Sequence, residues 1–93
     1  MRFQYGDYVK VRSWKDMENE FGLNSFREIP CDCFFVSDMK YLCGQILSIT
    51  KVLSRSYLTR SSSGDMLGYN ISDDMLELST YFKEEFEQQE STR

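Results

Sequence analysis

The stretch Gln45–Leu53 constrains this chain more than any other. Ile46, Ser48, Thr50 and Val52 alternate with Leu47, Ile49, Lys51 and Leu53, and β-branched residues are plentiful among them. A period of two is the signature of a strand, and β-branched side chains suit a pleated, half-buried surface. A strand needs neighbours to satisfy its backbone, and the chain offers several short ones. A Gly6-Asp7 turn leads into Tyr8–Arg12, where Val9 and Val11 are expected to face inward. Arg55–Arg60 and Met66–Ile71 read as a hairpin whose tip is Ser61-Ser62-Ser63-Gly64-Asp65. Leu76-Glu77-Leu78 reads as a short closing strand.

Single helical turns interrupt these strands. Ser13 is placed to cap a helix over about residues 14–21, with Asp16 three residues on and Gly22 as the left-handed terminator. Trp14, Met17 and Phe21 share helical spacing there. Ser37 is expected to cap a turn carrying Met39 and Leu42, ended by Gly44, and Ser72 to cap another that carries Met75. These methionines are read as core plugs, because Met fills irregular gaps. Residues 22–33 have turn character, with Phe26 and Ile29 expected to tie the loop down. Ser79 or Thr80 is expected to cap a last helix, Tyr81–Gln89, with Phe82 and Phe86 on one face.

With 93 residues there is room for one domain. The expected fold is mainly β with short helices: a small SH3-like antiparallel β-barrel of about five strands over residues 1–78, then an acidic C-terminal helix and tail over 79–93.

Three segments carry a resemblance. They are Gly6–Trp14 (GDYVKVRSW), Phe35–Gly44 (FVSDMKYLCG) and Gly68–Met75 (GYNISDDM). Together they resemble a family of small, mostly uncharacterised proteins encoded by bacteriophages, prophages and gut bacteria. The likeness spans residues 3–78 and leaves out the helix after residue 79. It implies an SH3-like barrel and no reaction, since such barrels host many functions.

Composition narrows the function. Histidine is absent, which removes the usual general base and the commonest metal ligand. Cys31, Cys33 and Cys43 are the three cysteines, an odd number that fits free thiols in a reducing compartment. Cys31-x-Cys33 is too tight for a zinc knuckle, and Asp32 as a fourth ligand would need both its neighbours to bind as well, so no metal is expected. No phosphate loop, nucleophile elbow or spaced carboxylate pair is present, and Asp73 and Asp74 are adjacent. The chain is therefore read as a non-enzyme with no cofactor. No apolar run approaches the ~20 residues of a membrane helix. Met1–Asp7 has no apolar segment, so a secretory signal is not expected, and a cytoplasmic location in a bacterial host is.

The net charge of −4 is unevenly placed: residues 1–60 carry +2 and residues 61–93 carry −6. Direct nucleic-acid binding is disfavoured by this balance. The reading is a binding module that engages, and inhibits, a bacterial or phage protein, its acidic end facing a basic partner surface. Trp14, Tyr57 and Tyr69 are the aromatic candidates for that contact, beside the basic Arg12, Lys15, Arg55 and Arg60. The alternative is a counter-defence protein that sequesters a nucleotide-like signal, with those basic side chains on phosphates and Trp14 or Tyr57 stacked on a base. Phe82 and Phe86 would serve either as a lid on the barrel or as a homodimer contact.

Overall fold

A computed structural model describes residues 2–77 of the chain. In order, these form β1 (Tyr8–Lys10), α1 (Trp14–Phe21), a 3-10 helix (Ser37–Leu42), β2 (Ile46–Val52), β3 (Tyr57–Arg60), β4 (Met66–Ile71) and a 3-10 turn (Asp73–Met75). The strands make one antiparallel sheet in the order β1-β2-β3-β4. The expected Tyr81–Gln89 helix, with Phe82 and Phe86, lies outside the described residues.

Register follows the alternation. Val9 pairs with Leu47, and Tyr8 and Lys10 pair with Ser48 and Ile46. Val9, Val11, Leu47 and Ile49 are thereby turned to one side, where Tyr57, Ile71 and Phe35 join them in the main core. Each such side chain contributes about 1.5–3 kcal/mol when taken from water to full burial. The other face of β2 is not open as simple alternation would have it. Ile46 and Ser48 are also buried, with Tyr8 packed on Ile46. A bulge between Ile49 and Lys51 then shifts the pairing with β3.

α1 begins and ends where the capping signals stand. The Ser13 hydroxyl accepts from the Asp16 N–H at 3.1 Å, and Gly22 leaves the helix at φ 76°. Met17 is its buried residue. The other two serine turns differ from expectation. Val36 and Ser72 hold the N-cap positions of the 3-10 segments, and neither makes a side-chain cap bond. Ser37 is instead the first residue of its helix, while Met39, Leu42 and Met75 are buried as expected.

Two strands are shorter than the alternation suggests. The Leu53 N–H donates to the Ser56 carbonyl at 2.8 Å, so the chain turns there and β3 starts at Tyr57, not at Arg55. The closing strand is present as an isolated bridge between Leu76 and Val11, flanked by Arg12 N–H to Met75 carbonyl and Glu77 N–H to Lys10 carbonyl, both 2.9 Å. The sheet therefore has four strands and does not close on itself among the described residues.

Candidate functional site

The basic and aromatic residues singled out above do not share one surface. Tyr57 is fully buried, which removes it from any outside contact. Its hydroxyl donates to Asp73 Oδ1 and accepts from the Phe3 N–H at 3.0 Å, and the Phe3 ring meets it edge-on at 5.9 Å. Burial, then the Asp73 bond, pushes the phenol up to about 12.

Arg12 is likewise spent inside the chain. Its guanidinium reaches Asp16 at 2.8 Å, Glu20 at 2.6 Å and the Asp74 carbonyl at 2.8 Å, and it lies over the Phe21 ring. The hydrogen bond to Asp16 leads in raising its pKa. Arg55 holds Asp32 at 2.7 Å. Trp14 packs on the core against Phe35, gives its indole N–H to Glu18 at 3.0 Å and carries the Lys40 ammonium 4.4 Å above its ring. Tyr69 leans half-buried on the core, Arg60 is half-buried and Lys15 is exposed.

Most of these contacts converge on Ser72–Met75. Asp73 takes the Tyr57 hydroxyl and pairs with Arg2 at 3.8 Å. Asp74 accepts from the Asp32 N–H at 2.8 Å and from the Ser72 hydroxyl, while its carbonyl receives Arg12. One 3-10 turn thus ties together the N-terminal segment, the start of α1 and the loop before Phe35. Two open grooves, of about 550 and 520 Å³, flank Asp74. The first is lined by Cys31, Asp32, Arg55, Asp73 and Phe21, among others. Desolvation first, then Asp74, pushes the Cys31 thiol up to about 11, so the protonated form dominates at neutral pH. Cys33 and Cys43 are also raised, with burial the main cause in both. The groove's carboxylates are engaged in holding the fold. Among the described residues no group of three His, Cys, Asp or Glu side chains is placed to hold a metal ion. None of the described helices is long and apolar enough to cross a membrane.

A different feature presents itself to solvent. The loop between α1 and the Phe35 bridge is built from two tight turns. In the first, Asn24 Oδ1 accepts from the Phe26 and Glu28 N–H groups at 2.9 and 3.0 Å, Asn24 Nδ2 donates to Glu28, and the Asn24 N–H donates to the Glu28 carbonyl. In the second, Ile29 and Phe35 exchange two backbone bonds of 3.0 Å around residues 30–34. Arg27 (φ 61°) and Phe34 (φ 54°) are the two non-glycine residues in the left-handed region. Such conformations persist only where surroundings impose them, and they gather at binding and switch sites. The outcome is that Ile29 is buried as expected, whereas Phe26 is 79% exposed and Phe34 50%. Phe26 does not tie the loop down, because Asn24 does so through the backbone. The available sequence signal was an aromatic residue within a turn-rich run, Asn24–Pro30, with no apolar partner at helical or strand spacing.

Comparison of the chain with protein-family profiles, curated proteins and solved structures finds no match.

Proposed function

We propose that this chain is a non-enzymatic binding module that docks on another protein through the Asn24–Phe35 loop, with Phe26 as its anchor. The observation that carries this reading is the pairing of a 79% exposed Phe26 ring with a backbone locked on both sides by Asn24. An exposed apolar ring on a preorganised loop gains burial on docking and loses little conformational freedom. Loops held by a rigid scaffold are where binding surfaces concentrate.

The resemblance to phage and prophage proteins supports a bacterial host protein as the target and its inhibition as the consequence. The four-stranded sheet, with the chain returning from β4 to bridge Val11, supports an SH3-like barrel as the architecture. Sequestration of a nucleotide-like signal is the weaker reading. Of its four basic candidates Arg12 and Arg55 already hold carboxylates, and Tyr57 is buried.

Immobilised full-length chain, incubated with bacterial lysate, tests the proposal. A protein retained by the wild type and lost with Phe26→Ala, while the Lys15→Ala variant retains it, is the expected result. Equal capture by all three chains removes the loop from the account. Retention of a nucleotide instead of a protein moves the account to the sequestering reading.

A further inference from the structure

β4 is the edge of the sheet that the described residues leave unpaired. β1, at the opposite end, has its outer side taken by the Leu76 bridge, whereas β4 has β3 on one side and no described strand on the other. Proteins usually blunt such an edge with Lys, Pro or inward-pointing charge. Met66-Leu67-Gly68-Tyr69-Asn70-Ile71 contains none of these.

Gly68 sharpens the point. It lies mid-strand, outside the left-handed region, and a Cβ built on it meets nothing within 4 Å. The chain's own packing does not require glycine there, and glycine weakens a strand interior. A glycine in that position marks close approach by another backbone or side chain.

The side chains of β4 suit a second copy of the same strand. Leu67 and Tyr69 lean on the core, while Met66 and Asn70 point to the exposed face with Gly68 between them. Two β4 strands related by a two-fold axis normal to the sheet must pair residues of like parity, since directly opposed side chains share a face. Centred on Gly68, that rule sets Leu67 opposite the second copy's Tyr69 on the core side. It sets Met66 opposite Asn70 on the other. Both apolar contacts extend existing cores, and no charge meets a like charge. A foreign strand would find no charged side chain on β4 to steer or select it.

We propose that two copies of this chain join edge to edge through Met66–Ile71, in antiparallel register about Gly68, to form one continuous eight-stranded sheet. Leu67 and Tyr69 are the positions that would hold the interface, and Gly68 allows the two backbones to meet.

Sedimentation of the full chain over a wide concentration range is the test. The wild type should pass from the 11.0 kDa chain to twice that mass. Gly68→Lys, which finds open space in the single chain, should keep the circular dichroism spectrum and weaken association roughly 100-fold or more, by opposing two ammonium groups at the axis. Disulfide trapping keeps the proposal falsifiable if that variant fails to fold. Gly68→Cys should cross-link to its own copy, and Asn70→Cys, placed opposite Met66, should not rise above the wild-type background. A wild type that stays monomeric to its solubility limit overturns the proposal. So does association that Gly68→Lys leaves unchanged, or equal cross-linking from both cysteine positions. Loss of association on adding an unrelated extended peptide that itself protects β4 amides would give the edge to a different partner.

Discussion

The Tyr57 hydroxyl donates to the Asp73 carboxylate from inside the core, joining β3 to the 3-10 turn after β4. The same oxygen accepts the Phe3 N–H, so one phenol holds both the N-terminal segment and the turn. Tyr57→Phe keeps the packing and removes both bonds. Leaving the two partners unsatisfied is expected to cost about 1–3 kcal/mol. For a chain of this size each kcal/mol lowers the melting midpoint by about 4–8 °C. A variant melting with the wild type would sink this assignment.

Alkaline pH gives the same pair a sign. The phenol is raised in the folded state from 10.0 to about 12, so its stabilisation is complete below pH 10 and is lost as pH rises toward 12. Denaturant titrations should show the stability gap between wild type and Tyr57→Phe narrowing across that interval. A constant gap contradicts the hydrogen bond.

Thiol chemistry separates the three cysteines. Cys31 is 4% exposed and its thiol sits at about 11 against an ordinary 9.0. With a disulfide reagent at pH 8, Cys33 and Cys43, both half-buried, should react first. Cys31 should react only as fast as the chain opens. Three equal rates under native conditions contradict this placement.

Arg12→Lys tests the junction at α1. A point-charge ammonium cannot reproduce a planar fork that reaches Asp16, Glu20 and the Asp74 carbonyl together. Because Asp16 and Glu20 are largely in solvent, most of the loss comes from the Asp74 carbonyl and the packing on Phe21. The expected cost is about 1 kcal/mol. Full retention of stability by the lysine variant would show that charge alone suffices.

Two glycines should respond in opposite directions to alanine. Gly22 terminates α1 at φ 76°, where an alanine is strained, and Gly22→Ala should destabilise by about 1 kcal/mol. Gly68 has ordinary backbone and open space, so Gly68→Ala should stabilise the single chain by about 0.4–1 kcal/mol. Matching signs in thermal melts at low concentration would contradict the geometry.

What could be read from the chain followed from local rules. The alternation of Gln45–Leu53 is a backbone property, and β2 stands at Ile46–Val52. Ser13, Asp16 and Gly22 mark a helix by hydrogen bonds within one turn, and α1 has the bounds they mark. Residues whose role depends on distant partners were not legible. Nothing within ten residues of Tyr57 announces a bond to Asp73, and an aromatic between Arg55 and Arg60 looks like surface until the sheet buries it. Arg12 resembles a free cation until α1 brings Asp16 and Glu20 beneath it. Phe26 misled in the opposite sense, because hydrophobicity alone points inward and only the Asn24 bonds reveal that the loop has no need of it.

The most direct measurement is site-specific photo-cross-linking in bacterial lysate. A photoreactive phenylalanine analogue at Phe26 places the probe on the proposed anchor, and the same group at exposed Lys51 on β2 serves as the reference. The account predicts one discrete protein adduct from position 26, competed away by unlabelled wild-type chain and absent from position 51. Adducts of equal pattern at both positions, or none at position 26, contradict it.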